Sequence, residues 1–170
     1  MHIKLINKKI YYSHYSVKCA IGKRGISINK VEGDNKTPAG TLKIKYILYR
    51  KDRIGELKSK IKKITIKKNM GWCDDPNSKF YNKLIKFPFP FSAEKLYLKK
   101  RIYDLILITD YNTHPVKRFK GSAIFIHLAT KNFTPTKGCI ALKLLDMKRI
   151  VGKINSKSKL TISRSFPKNK

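Results

Sequence analysis

The stretch SAIFIHLATKNFTPTKGCIALKLL (122–145) combines a strand-like run, a loop and a cysteine. Its first part, SAIFIHLA (122–129), is almost continuously apolar, which is typical of a strand buried on both faces. The following TKNFTPTKG (130–138) has the Asn, Pro, Thr and Gly of a loop that returns one element beside another. This path predicts that His127 and Cys139 lie within hydrogen-bond reach of each other.

A cysteine beside a histidine has the chemistry of acyl transfer, because a neighbouring imidazole can lower a thiol pKa from about 8.5 toward neutrality. LKLLDMKRIVGKI (142–154) predicts an amphipathic helix, whose N-terminal N–H groups would favour a thiolate at Cys139. Gly138 allows close backbone approach, and the N–H of Cys139 is a candidate oxyanion donor. The residues alone leave a second interpretation open, in which His127 is a hydrogen-bonded core residue and Cys139 only packs.

Most of the chain is strand-like, which predicts a single mainly β domain over residues 1–170, a sandwich or partly closed barrel with one or two helices. TLKIKYILYR (41–50) largely alternates apolar and polar residues, and IYDLILITD (102–110) is apolar enough for a strand covered on both faces. GWCDDPNSKFYNKLIKFPFPFSAEKL (71–96) is rich in Pro, Asn and aromatic residues and predicts a long ordered loop. The other predicted strands are HIKLI (2–6), KIYY (9–12), VKCAIG (17–22), KKITIKK (62–68) and KLTIS (159–163).

The charge of the chain is strongly positive, with 40 Lys and Arg against 10 Asp and Glu. Such a field favours anionic partners, namely nucleic acid, anionic lipid or a carboxylate-rich polymer. The lysines are spread along the chain, however, as expected of a composition bias that produces a solvated basic surface. The charge therefore indicates what the protein tolerates nearby and does not by itself define a function.

Several classes of site are not indicated. No C-x-x-C pair, zinc-finger spacing, P-loop or dinucleotide-binding glycine motif is present, so we expect no metal and no cofactor. Cys19 and Cys73 are expected to be core thiols, although a disulfide between them stays open. No stretch approaches the roughly 18 apolar residues of a membrane span. MHIKLINKKIYY (1–12) lacks the apolar region of a signal peptide, which leaves a cytoplasmic protein, another export route or a processed form.

A second motif, GDNKTPAG (33–40), reads locally as a turn before a strand. Followed in order by IFIHLA and TKGCIAL, it resembles the L,D-transpeptidase catalytic domain of the YkuD family, and GWCDDP is similar to a compact subgroup common in Gram-negative bacteria. The resemblance implies that Cys139 is the nucleophile and His127 the general base. It also implies that Gly138 helps to form the oxyanion hole and that Thr136 supports the cysteine loop.

The sequence departs from the family pattern at two positions. Lys137 stands where the widespread motif has a second histidine, and Ala141 stands where an Arg or Asn usually follows. The interval from histidine to cysteine is also shorter than usual. We include Lys137 among the candidate substrate-binding residues, together with Tyr111, Asn112 and Trp72, which lie in two segments that would flank the cleft. For Tyr111 and Asn112, a simple turn at the end of a strand is the alternative.

The resemblance implies a peptidoglycan L,D-transpeptidase. The thiolate attacks the stem peptide, D-alanine leaves, and an amine of another stem resolves the thioester into a cross-link. The expected partner is the peptidoglycan stem peptide, the expected location is the periplasm or cell envelope, and the expected state is a monomer. One alternative is hydrolysis by the same Cys–His pair, as a carboxypeptidase or amidase. Another is a non-catalytic basic domain that binds nucleic acid, for which YILYRKDR (46–53) is the best segment.

Overall fold

The structure, a computed structural model, describes residues 1–164, so the last six residues of the predicted domain lie outside it. Within this range a nine-stranded sheet forms a nearly closed, barrel-like layer, and the expected mainly β architecture is confirmed. The strands of this sheet are β1 (His2–Ile6), β2 (Lys9–Tyr12), β3 (Tyr15–Lys18), β6 (Gly40–Tyr49), β7 (Lys63–Thr65), β11 (Leu105–Thr109), β12 (Phe125–Leu128), β13 (Ile140–Leu142) and β14 (Lys159–Ser163). Their order is β13-β12-β11-β6-β14-β1-β2-β3, with β7 beside β6.

Smaller elements surround this layer. The remaining strands are β4 (Ile26–Ser27) and β5 (Thr37–Pro38), which pair with each other, and β8 (Met70–Cys73), β9 (Leu84–Lys86) and β10 (Ala93–Lys95), which form a three-stranded sheet. The helices are α1 (Lys51–Ile54), α2 (Leu144–Lys153) and a 3-10 turn at Arg101–Tyr103. In residues 1–164, no helix has the length and apolar character needed to cross a membrane.

Both faces of the central strands are buried, as their continuous apolar runs predict. In β11, Leu107 belongs to the larger core, which also contains the apolar side of α2, whereas the adjacent Ile108 belongs to a second core. In β12, Ile126 belongs to the larger core and Phe125 to the second one. The second core lies between the main sheet and the β8–β10 sheet, because it includes Trp72 of β8.

The register of β12 and β13 determines where the two candidate catalytic residues lie. The strands are parallel, with Ile126 opposite Ile140 and His127 opposite Ala141. Side chains alternate between the faces of a sheet, and directly paired residues share a face. Since Ile126 and Ile140 both belong to the larger core, His127 and Cys139 fall on the opposite face, where Cys139 packs against the second core.

The segment 71–96 is more regular than predicted. The expected long loop contains β8, β9 and β10, and Trp72 of β8 pairs with Leu84 on one side and Glu94 on the other. Each of these strands has only three or four residues, and their partners lie at least ten positions away. Hydrophobic periodicity cannot be recognised in segments of that length, so the loop prediction was wrong.

The helix after the cysteine is also shorter than predicted. It begins at Leu144, because Ile140–Leu142 pairs with β12 as a strand, and a short apolar run fits either structure until tertiary pairing decides. A strand of three residues spans about 10 Å. The influence of helix N-terminal N–H groups falls off within about one turn. The expectation that these groups would stabilise a thiolate at Cys139 was therefore wrong.

Candidate active site

A cleft of about 470 Å³ lies at the end of β12 and β13, beside the β8–β10 sheet. It contains both candidate catalytic residues and several charged side chains. The residues that line it are Lys30, Glu32, Asp74, Glu94, Ile102, Tyr103, Ser122, Ala123, Ile124, His127, Leu128, Thr130, Thr134, Pro135, Thr136, Lys137, Gly138, Cys139 and Ala141. The strand–loop–cysteine path thus places His127 and Cys139 in one cavity.

The loop that carries the cysteine is fixed by its own threonine. The Thr136 hydroxyl donates to the carbonyl oxygen of Cys139 at 2.6 Å and accepts the N–H of Gly138 at 3.1 Å. The main chain of Thr136 exchanges hydrogen bonds with the strand-like segment after β3: its N–H donates to Ile21 O at 2.9 Å, and its carbonyl accepts the N–H of Lys23 at 2.8 Å. This arrangement is the loop-supporting geometry expected of Thr136.

The GDNKTPAG turn holds the same loop from the other side. The Thr37 hydroxyl is fully buried, donates to Gly138 O at 2.9 Å and accepts the N–H of Gly22 at 2.8 Å. Gly138 has φ +146°, and a Cβ there would lie 2.9 Å from Lys36 O. A larger residue would therefore collide with the turn. Two motifs about one hundred residues apart are joined through one hydroxyl.

The turn also positions a buried cation beside the cleft. Asp34 accepts the Lys30 ammonium at 2.6 Å, and only 3% of the Lys30 side chain is exposed. Burial opposes ionisation of Asp34, but the hydrogen bonds from Lys30 and from the N–H groups of Val31 and Lys36 outweigh it and lower the pKa of this carboxyl. The ammonium acts on Cys139, since its charge lowers the pKa of that thiol.

The surroundings of the Cys139 thiol nevertheless favour its neutral form. Burial is the main cause and, together with the nearby Glu94 carboxylate, raises the pKa of the thiol to about 12, against the smaller lowering effects of Lys30 and the Phe125 N–H. Its Sγ donates to Ala123 O at 3.0 Å and accepts the N–H of Phe125 at 3.5 Å. The expectation of a thiol acidified by its surroundings is therefore wrong for the resting protein.

His127 is held in a form that can accept a proton. Its ring is buried, and Nδ1 lies 2.9 Å from Leu128 O. Because a carbonyl oxygen only accepts, Nδ1 carries the proton, and the neutral ring keeps a lone pair on Nε2. The Tyr103 ring packs edge-on against the imidazole, with centroids 5.3 Å apart.

Burial also keeps the imidazole neutral, because desolvation lowers the pKa of His127 more than the bond to Leu128 raises it. Among residues 1–164 no hydrogen bond joins this ring to Cys139, whose proton is directed to Ala123 O instead. The resting pair is therefore a neutral thiol and a neutral base in one cleft. It is not a preformed ion pair.

The expected oxyanion donors differ in their availability. The N–H of Gly138 is already engaged by the Thr136 hydroxyl, so the role expected of Gly138 would require that this bond be shared or broken. The N–H of Cys139 has no hydrogen-bond partner in the part of the chain that the structure describes. Of the two groups, the Cys139 N–H is the one free to stabilise an oxyanion.

The four candidate substrate-binding residues are distributed unevenly. Lys137 is exposed and lines the cleft, whereas Trp72 is 3% exposed and packs against Phe125 behind it. Tyr111 and Asn112 line a separate cavity. Only Lys137 is thus brought to the cysteine, and the alternative of a strand-end turn describes Tyr111 and Asn112.

Trp72 and that turn have a supporting role that the sequence did not indicate. Asn82 accepts the Trp72 indole N–H and the N–H of Ala123, each at 3.0 Å, and donates to the carbonyls of Tyr111 and Asn112. Ala123 in turn accepts the thiol proton. These bonds fix the backbone segment whose carbonyl oxygen, at Ala123, accepts the thiol proton of Cys139.

The sequence also did not identify Glu94 and Tyr103 as residues of the cleft. The Tyr103 hydroxyl donates to Glu94 Oε1 at 2.6 Å, which places a carboxylate and an aromatic ring in the wall beside Cys139 and His127. Glu94 lies in an unpredicted strand and Tyr103 in a single 3-10 turn. Neither carries a local motif, so no signal in the sequence could have identified them.

Two further expectations concern cysteines and metals. Cys19 and Cys73 are both buried free thiols, so the open question of a disulfide between them is resolved in favour of core packing. Burial raises the pKa of Cys19 to about 12. Within residues 1–164, no group of His, Cys, Asp and Glu side chains is arranged to hold a metal ion.

Comparison with known proteins defines the class to which this fold and cleft belong. The family profile YkuD, the L,D-transpeptidase catalytic domain, matches residues 5–162, and the chain belongs to this family. Comparison with curated protein sequences gives no match.

Among solved structures, the chain is similar to the crystal structure of the helical cell shape determining protein Pgp2 from Campylobacter jejuni. The TM-score is 0.50 and the sequence identity is 15%, which supports a shared fold alone. The alignment covers 98% of this chain and 48% of Pgp2, so the chain spans about half the length of that protein.

Proposed function

We propose that this protein is an L,D-transpeptidase that acts on peptidoglycan stem peptides, with Cys139 as nucleophile and His127 as general base. The observation that carries the proposal is the shared face of β12 and β13. It places Cys139 and His127 in one cleft, with Nδ1 of the imidazole fixed by Leu128 O and Nε2 left to accept a proton. Membership of the YkuD family supports the reaction class.

The neutral resting pair defines the first step. As substrate enters, the thiol exchanges its bond to Ala123 O for His127, and Nε2 takes the proton while Sγ attacks the carbonyl of the third residue of the stem. The Cys139 N–H stabilises the oxyanion; in comparable sites one such donor is worth about 2.7–4 kcal/mol. The His127 imidazolium then returns the proton to the departing amine of D-alanine, and a thioester on Cys139 remains.

An amine from a second stem peptide completes the reaction. It attacks the thioester, loses a proton to His127, and expels the Cys139 thiol as the new amide forms. Water in place of the amine would make the protein an L,D-carboxypeptidase. Because peptidoglycan lies outside the cytoplasmic membrane, we propose the periplasm or cell envelope as the site of action. We also propose that the protein acts as a monomer, since both groups of the pair come from one chain.

The products of a purified disaccharide-tetrapeptide test this proposal. We expect mass spectrometry to detect a cross-linked dimer lighter than two substrates by one D-alanine, because aminolysis keeps the rest of both stems. Cys139→Ala should give no dimer. Cys73→Ala, which removes a buried thiol outside the cleft, is the matched control and should remain active.

Other products would indicate a different function. Tripeptide and free D-alanine without dimer would assign the hydrolytic reaction to the same pair. No turnover, combined with salt-dependent binding of oligonucleotides, would favour a nucleic-acid-binding domain and contradict the proposal.

A further inference from the structure

Most of the carboxylates that form no ion pair within residues 1–164 of this basic protein line the cleft. All ten Asp and Glu residues lie in the described range, and five of them form ion pairs: Asp34, Asp52, Glu56, Asp104 and Asp146. Of the five that form no ion pair within residues 1–164, three line the cleft: Glu32, Asp74 and Glu94. A protein with 40 Lys and Arg residues thus has a cleft wall with carboxylates that its own cations do not neutralise.

Glu94 is the carboxylate that acts on the nucleophile. It lies in β10 opposite Trp72 and is partly buried, and its charge raises the pKa of the Cys139 thiol. Its Oε1 accepts the Tyr103 hydroxyl, whereas Oε2 has no hydrogen-bond partner within residues 1–164.

The environment of Glu94 does not fully compensate its charge. Desolvation is the main effect and raises the pKa of this carboxyl, and the Asp74 carboxylate adds to it. The Tyr103 hydroxyl and the exposed Lys137 ammonium act in the opposite direction. A carboxylate that is partly removed from water and has a free oxygen is stabilised by a cationic partner.

We propose that Glu94 binds an ammonium group of the donor stem peptide, namely the side-chain amine of the diamino acid whose carbonyl is attacked by Cys139. This inference rests on the proposed function. The placement suits the chemistry, because the residue that forms the thioester carries its second amine on its own side chain, and Glu94 lines the same cleft as the thiol. Glu94 is thus a specificity-determining residue for the donor.

Binding of this ammonium also favours the chemical step. The Glu94 carboxylate opposes formation of a thiolate at Cys139, and a bound cation offsets that field. The free amine should therefore improve both the binding of the donor and the rate at which Cys139 attacks its carbonyl. Since a hydrogen bond to a charged group is worth about 1.5–3 kcal/mol, we expect a preference of about ten- to one-hundred-fold in the kcat/KM of acylation.

Two donors and four proteins test the assignment. The donors are a tetrapeptide with a free side-chain amine at the third residue and the same peptide N-acetylated at that amine. The proteins are wild type, Glu94→Gln, Tyr103→Phe and the matched control Glu56→Gln, whose carboxylate is exposed and paired with Lys51 outside the cleft. The rate of D-alanine release and of thioester formation, measured without an acceptor, isolates the donor step.

We expect wild type and Glu56→Gln to prefer the free amine by the same factor. Glu94→Gln should lose most of this preference. It should slow the free-amine donor, and it should not slow the acetylated donor, because it also removes the field that opposes the thiolate. Tyr103→Phe removes the hydroxyl that holds Glu94 and keeps the ring against His127, so it should give an intermediate preference.

The acetylated donor is the internal reference. Equal slowing of both donors by Glu94→Gln would show that Glu94 only supports the fold, and unchanged rates with both donors would show that the ammonium binds elsewhere; either result overturns the assignment. If no donor forms a thioester with wild type, the proposed function itself fails. If both donors react equally with wild type, only the Glu94 assignment fails.

Discussion

Cys139 and His127 show how burial sets the starting state of a cysteine–histidine pair. The thiol is directed to a backbone carbonyl, and the imidazole proton lies on the nitrogen bonded to Leu128. Desolvation raises the pKa of Cys139 and lowers that of His127, so both groups are uncharged at neutral pH. Under the proposed function, nucleophilicity therefore arises when substrate binds, by transfer of the thiol proton to Nε2.

The first prediction follows from the raised pKa of the thiol, about 12. Only the thiolate is alkylated. The rate of Cys139 alkylation by iodoacetamide should therefore keep rising from pH 6 to pH 10, by close to tenfold per pH unit, without a plateau. The rate can be followed by intact mass, with Cys139→Ala as the blank for the buried thiols of Cys19 and Cys73. A plateau near pH 7 would instead reveal a preformed thiolate and contradict the neutral pair.

At the level of single residues, the sequence was sufficient to predict that Cys139 and His127 lie in one cleft and that Thr136 binds the cysteine loop, because each belongs to a local motif with a chemical meaning. The sequence was not sufficient to identify Glu94 and Tyr103 as cleft residues or to predict the direction of the pKa shifts. A pKa depends on which groups and how much solvent surround an atom, and here both are set by strands far apart in the chain.

The elements around the cleft divide into two kinds. Long apolar segments such as β11 and β12 were predictable because burial on both faces leaves a continuous hydrophobic run. The β8–β10 sheet was not, since three- and four-residue strands have no resolvable period. The GDNKTPAG turn lies between these cases, because its local form was predictable and its attachment to the cysteine loop was not.

The second prediction concerns that attachment. Thr37→Val keeps the shape of the buried side chain but leaves Gly138 O and the Gly22 N–H without their partner. Each unsatisfied buried group costs about 1–3 kcal/mol, so we expect a free energy of unfolding lower by at least about 1 kcal/mol in urea titrations. The acylation rate should fall as well, because the cysteine loop loses one of its two anchors.

Thr37→Ser retains the hydroxyl and serves as the control for this substitution. It should preserve most of the acylation rate, apart from the small effect of the lost methyl group. If Thr37→Val acylated as fast as wild type, the turn would not be needed to position Cys139.

At the scale of the whole molecule, the formal charge of +30 and the carboxylate-lined cleft make separate contributions. Under the proposed function, the basic surface attracts a polymer that bears many carboxylates over long distances, whereas the cleft selects at short range. Long-range attraction between exposed charges is screened by salt, and interactions of partly buried groups are screened much less.

The third prediction uses that difference. The Debye length falls from about 30 Å at 0.01 M salt to about 3 Å at 1 M. Binding of Cys139→Ala to insoluble peptidoglycan, measured by co-sedimentation, should therefore weaken at least several-fold over this range. Acylation of wild type by a small soluble tetrapeptide should change much less. Salt-independent sedimentation would show that the basic surface does not contribute to polymer binding.

The proposed mechanism requires that Cys139 form a thioester with the stem peptide, and the intact mass of the protein reports this adduct. After brief incubation with a tetrapeptide donor and no acceptor, wild type should gain the mass of the donor minus D-alanine, and peptide mapping should place the addition on Cys139. Cys139→Ala should gain nothing, and His127→Gln should gain it far more slowly. No added mass on wild type, or the same addition on Cys139→Ala, would rule out Cys139 as the nucleophile.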